Sequence, residues 1–192
     1  MSMAELVLDL ETKKSFDDVG GRNNHHLLGV SLAGVYDYGN ARFFALEEKD
    51  MAELERLITQ ADRIIGFNTK NFDYAVLQPY VSLNLNAVPS LDIMEEIVKV
   101  LGHRVSLDSV ASATLGTKKT GDGLKAIQLF REGKMLELAE YCLQDVKLTR
   151  DIYEYGAEHG KLFFDSRFGG TKEISVSWKK IAAHEAPLRL AL

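Results

Sequence analysis

The chain predicts an α/β layered domain built on a mixed sheet. Three observations point there: strand-like apolar runs with a hairpin signal in the first half, a strand–helix alternation after them, and a mostly helical second half. At 192 residues the chain is long enough for one domain that folds unaided, and no internal repeat or low-complexity linker divides it.

The first element is Ala4–Thr12 (AELVLDLET), whose apolar run reads as a buried strand. A polar loop, Lys13–His25, holds Gly20-Gly21 and Asn23-Asn24. Leu27–Tyr36 (LLGVSLAGVY) is apolar almost throughout, as a central strand buried on both faces would be. Asp37-Tyr38-Gly39-Asn40 is a turn signal, and Ala41–Leu46 completes a β-hairpin. Met51, Leu54, Leu57, Ile58 and Ala61 mark one face of a helix, with Asp50 as its N-cap. Arg63–Phe67 (RIIGF) reads as a short strand, and Asn71–Tyr80 as helical until Pro79 interferes.

Asp92–Leu101, Leu107–Leu115 and Leu124–Phe130 read as three short helices, with the basic, glycine-bearing loop Gly116–Gly123 before the last. Lys134–Tyr155 is the longest helix, its inner stripe running through Met135, Leu138, Cys142, Val146, Thr149 and Tyr153. Beyond Gly160, Leu162–Phe164 and Glu173–Trp178 read as short strands around Gly169-Gly170, then a tail. We therefore expect one domain over residues 1–158 and a C-terminal extension over 159–192.

A hydrophobic fraction of 46% and a charged fraction of 27% are those of an ordinary globular protein. No apolar run approaches the roughly 20 residues of a membrane span. The N-terminus lacks a basic region followed by an apolar stretch, so a secretory signal is not expected. Cys142, the lone cysteine, excludes an internal disulfide framework and a cysteine zinc site. A cytoplasmic location is the expectation.

Asp9 and Glu11 stand two apart in the first strand and so project from one face. Two charges buried on a strand of Leu and Val are costly unless water at the sheet's end or a bound cation compensates. They close that strand at its carboxyl end, where ligands bind in open α/β sheets. Asp73 follows the strand RIIGF, whose loop would lie near Asp9 if the two strands run parallel and adjacent. Tyr141 and Asp145 are four apart on the long helix and share one side of it. Oxygen ligands of this kind suit Mg²⁺ or Mn²⁺, and a pair of such ions serves phosphoryl transfer. The net charge of −5 opposes non-specific nucleic-acid binding; with those four acids set aside the remainder carries −1.

Asp9-Leu10-Glu11-Thr12, then Asn68-Thr69-Lys70-Asn71-Phe72-Asp73, then Tyr141-Cys142-Leu143-Gln144-Asp145 resemble, in order, the three motifs of the DEDD 3′→5′ exonucleases of the ribonuclease H-like fold. A Tyr four before the last Asp is similar to the DEDDy branch. The N-x-x-x-F-D segment is similar to proofreading domains of family B DNA polymerases and their stand-alone bacterial relatives. The likeness spans Glu5 to about Tyr155. It implies a five-stranded mixed sheet flanked by helices. It also implies hydrolysis at the 3′ end of single-stranded DNA or RNA with two Mg²⁺ or Mn²⁺ ions, releasing nucleoside 5′-monophosphates. Carried over, Asp9, Glu11 and Asp145 would hold one ion, and Asp9 with Asp73 through water the other. Tyr141 would position the attacking water. Thr12, Asn68 and Phe72 would lie near the terminal nucleotide.

Other residues have plainer readings beside the functional ones. Lys118, Lys119 and Lys125 can grip phosphates or simply be solvated. His25-His26 read as loop-edge polar residues. Phe43-Phe44 and Trp178 read as core rather than base-stacking platforms. Asp92 reads as a helix N-cap or an acid behind the metal ligands, and Cys142 as an inert core thiol. Two rivals to the nuclease stand: a non-catalytic binding module of the same fold, and a phosphatase acting on small nucleotides. The latter needs a D-x-D pattern that D-L-E-T does not supply.

Overall fold

In a computed structural model, residues 5–117, 123–166 and 169–180 are described. The Leu/Val-rich and Ile-rich runs become β1 (Glu5–Thr12), β2 (Val30–Asp37), β3 (Arg42–Glu47) and β4 (Arg63–Gly66), and a three-residue β5 (Ser90–Asp92) joins them. Together they form one five-stranded mixed sheet in the order β3-β2-β1-β4-β5. β1 pairs antiparallel with β2 and parallel with β4, with Asp9 opposite Gly34 and Leu6 opposite Ile64. The parallel crossover β1–β4 carries chain from both strands to the same end of the sheet.

Side-chain alternation along β1 sets the two layers. Leu6, Leu8 and Leu10 pack with α1 (Met51–Gln60) and α2 (Asp73–Leu77) on one face. Val7 and Ile65 pack on the other, against α3 (Ile93–Leu101), α4 (Leu107–Leu115) and α6 (Met135–His159). α5 (Gly123–Arg131) and α6 bury Ala126, Leu129, Leu138 and Cys142 against Leu32. The hairpin β6 (Lys161–Asp165) and β7 (Thr171–Ser175) contributes Leu162, Phe164 and Ile174 to the core shared with α3, α4 and α6. Trp178 fills the space that Gly156 leaves open on α6, its indole donating to the Tyr153 carbonyl at 3.0 Å. At the start of β1, the buried Glu5 carboxylate accepts from Arg63 Nε at 2.9 Å and from the Tyr153 hydroxyl at 2.8 Å.

The α/β class and the flanking helices are those the sequence predicts, while local expectations change, among them that the last strand runs Thr171–Ser175 rather than Glu173–Trp178. β2 begins at Val30 rather than Leu27, because Gly29 takes a left-handed φ of 70° that ends a 3₁₀ turn over His25–Leu27. Asp50 stands at the N-cap of α1 as expected, but its side chain makes no cap bond there. Its carboxylate accepts instead from the Glu47 amide at 3.1 Å, closing the 3₁₀ turn that precedes the helix. β5 went unseen because three residues are too few to display a strand period. α6 continues past Tyr155 to His159, where Gly160 stops it. Phe43 and Phe44 are half-buried, and Trp178 is buried as expected of core. Among the described residues no helix is long and apolar enough to cross a membrane.

Candidate metal centre

Asp9 and Glu11 continue the Val7 face of β1 and so point toward the α5–α6 layer rather than toward α1. Glu11 is buried, whereas Asp9 keeps some solvent contact. α6 crosses close above them because residue 34, opposite Asp9, is glycine. A Cβ there would stand 2.7 Å from Val146 Cγ2 and 2.8 Å from Cys142 Sγ. That approach brings Tyr141 and Asp145, one helical turn apart, to the end of β1. From β4 the chain turns through Asn68–Phe72 and starts α2 at Asp73, itself 4% exposed.

All five residues line one cleft of about 560 Å³, and Thr12, Asn68 and Phe72 line it too. Lys118 and Lys119 lie outside the described residues. Lys125 is placed on α5 with its ammonium 5.6 Å from the Tyr141 ring centroid. The Asp9 and Glu11 oxygens and Cys142 Sγ all lie within 4.8 Å of one another. The thiol is a weak donor to Asp9 Oδ2 at 3.8 Å, a contact that the inert-core reading of Cys142 did not include.

The electrostatics follow from burial and crowding. Burial first, then the charges of Glu11, Asp73 and Asp145, hold the Asp9 carboxyl well above the usual carboxylate range; the Cys142 contact opposes this weakly. Burial and the charges of Asp145 and Asp73 raise Glu11 in the same way. Burial also raises Asp73, against hydrogen bonds from its own amide and from Leu10. Acids this close ionise together only with positive charge among them. Hard carboxylate oxygens of this kind fit divalent ions such as Mg²⁺ or Mn²⁺, and in the metal-free protein burial and the charges of Asp145, Glu11, Asp9 and Asp108 keep the Tyr141 phenol protonated.

The sequence reading overlooked the opposite wall. Lys14, Phe16 and Arg22 come from the loop after β1 and line the same cleft, as do Leu124 and Ile127 of α5. That loop is pinned by Lys13 and Lys14 amides donating to Gly29 and Leu28 carbonyls at 3.0 and 3.1 Å. His25 is no loop-edge residue: its ring packs edge-on to Phe16 at 5.1 Å and Phe72 at 5.8 Å. The available signal was a pair of cations flanking an aromatic immediately after the acid pair.

A five-stranded mixed sheet with acids at the carboxyl end of its first strand, covered by a helix bearing a further acid, is the ribonuclease H-like arrangement. A sequence model of the RNase H superfamily matches residues 6–156, and the chain belongs to that superfamily. Membership implies a nucleic-acid substrate and suggests nuclease-type activity, which in this superfamily usually uses divalent metals. Comparison with curated proteins finds no match.

Proposed function

We propose that the chain is a DEDDy 3′→5′ exonuclease that removes nucleoside 5′-monophosphates from the 3′ end of single-stranded DNA or RNA. The observation that carries this reading is the convergence of Asp9, Glu11, Asp73, Tyr141 and Asp145, from three separated motifs, on one cleft. Asp9, Glu11 and Asp145 would hold one Mg²⁺ or Mn²⁺, and Asp9 with Asp73 a second. Bound ions of this kind raise the acidity of water and stabilise a leaving oxygen. A phenol is a poor general base, and the Tyr141 hydroxyl would instead orient the attacking water as a donor and acceptor. Thr12, Asn68 and Phe72 would surround the terminal nucleotide, with Lys118 and Lys119 reaching its phosphates. Residues 1–158 would carry the chemistry, with 159–192 as a C-terminal extension.

End-labelled single- and double-stranded DNA and RNA, incubated with Mg²⁺ and with Mn²⁺, test this. Stepwise, metal-dependent shortening from the 3′ end is expected. Absence of shortening with retained oligonucleotide binding would make the chain a non-catalytic module instead. Cleavage of mononucleotides alone would make it a phosphatase.

A further inference from the structure

Asp73 reaches the cleft only because the five residues before it take one particular turn, and a single buried side chain outside the three motifs holds that turn. Asp92, at the end of β5, is 1% exposed. Its Oδ1 accepts from the Asn68 amide at 2.8 Å and the Glu95 amide at 3.2 Å, and its Oδ2 accepts from the Lys70 amide at 3.0 Å. One carboxylate therefore caps α3 and clamps both ends of the Asn68–Lys70 segment. The clamp fixes Asn68 in a left-handed conformation, with φ at 72°, which is uncommon outside glycine although asparagine tolerates it better than most residues. Arg104 reinforces it from outside by donating to Asn68 Oδ1 at 2.5 Å. Beneath, the Thr69 side chain occupies the place a Cβ on Gly66 would need, 1.7 Å from that position. The turn then feeds α2 through the Phe72 amide on the Asn68 carbonyl at 3.1 Å and the Tyr74 amide on the Thr69 carbonyl at 3.0 Å.

We propose that Asp92 is a positioning residue that sets the Asn68–Phe72 turn and thereby the place of the Asp73 carboxylate, with Arg104 as its outer support. The inference rests on the proposed metal-dependent nuclease only for its effect on rate. The chemistry of the clamp dictates the variant. Asp92→Asn keeps the shape but offers one acceptor oxygen, so Oδ1 can still serve Asn68 and Glu95 while an NH₂ group faces the Lys70 amide.

The test is made on the full chain by amide hydrogen exchange, Mn²⁺ titration and steady-state kinetics on an oligonucleotide. In Asp92→Asn, exchange at the Lys70 amide should accelerate by at least about ten-fold. Affinity for the more weakly held Mn²⁺, and kcat, should each fall about 10–100-fold, the range typical of groups that orient metal ligands. KM should rise as well, since Asn68 and Phe72 of the loosened turn would surround the terminal nucleotide. Exchange at Lys70 equal to wild type, or faster exchange with unaltered Mn²⁺ affinity, overturns the proposal. If Asp92→Asn does not fold, Arg104→Ala, an exposed site, takes the same readouts: faster exchange at Asn68 with weaker Mn²⁺ binding supports the clamp, and no change in either refutes it. Wild-type protein that binds no Mn²⁺ and cuts nothing would defeat the functional reading, while Lys70 exchange would still decide whether Asp92 holds the turn.

Discussion

Gly34 of β2 and Cys142 of α6 stand so close that a methyl group on the glycine would lie 2.8 Å from the cysteine sulfur. Since Asp9 is the ladder partner of Gly34, the spacing between these two residues sets how near Tyr141 and Asp145 come to the acids of β1. Gly34→Ala should cost about 1–3 kcal/mol of stability, as overpacking of a filled core does. Activity should fall further than that loss explains, because α6 must ride up from the sheet. Adding Cys142→Ala should recover part of both, and thermal melts with kinetics on the single and double variants check the coupling.

The crowded acids make the metal-free protein sensitive to pH in a definite direction. Asp9, Glu11 and Asp73 bind protons more tightly folded than unfolded. Their contribution to stability is therefore full below the ordinary carboxylate range of about pH 4, and is lost as pH rises through their raised values. In chelator, the melting temperature should fall between pH 5 and 8 more steeply for wild type than for Asp9→Asn. At a hundred-fold excess over Kd, Mg²⁺ should restore about 2.7 kcal/mol to wild type at neutral pH and much less to the variant. Parallel pH profiles for the two proteins would contradict the arrangement.

Tyr141→Phe separates orientation of water from binding of metal. Loss of the phenol should lower kcat by about 100-fold through misplacement of the nucleophile. Mn²⁺ affinity should be unchanged in a calorimetric titration.

Truncation tests how far the C-terminal extension belongs to the nuclease unit. A chain ending at residue 158 loses Leu162, Phe164, Ile174 and Trp178 from the core packed on α4 and α6. At about 1.5–3 kcal/mol for each buried side chain the four together approach the whole stability of a typical domain. We expect the shortened chain to lose its cooperative melt, measured by circular dichroism. A stable, metal-binding fragment 1–158 would show instead that the hairpin is an accessory.

The elements with strong periodicity were legible from residues alone: the alternation around Asp9 and Glu11, the stripe of α6, the turn between β2 and β3. Such patterns report which face of one element is buried, and that information lies within a few residues of chain. The same locality explains the errors. Asp50 and Asp92 look alike as acids before helices, yet Asp50 turns back to Glu47 whereas Asp92 reaches across to Asn68 and Lys70. His25 looked like a polar loop residue because Phe16 and Phe72, which enclose it, are far away along the chain or belong to another element.

By itself, then, the sequence determined which side chains could bind a metal and which face of its own strand or helix each would occupy. Only the tertiary structure decided that they meet. The parallel pairing of β4 with β1 delivers Asp73, the missing side chain at Gly34 admits Tyr141 and Asp145, and the loop after β1 supplies the Lys14 and Arg22 wall. The physical reason is that these contacts join residues separated by tens of positions. Their closeness depends on the packing of the whole sheet and its helices, which no local pattern encodes.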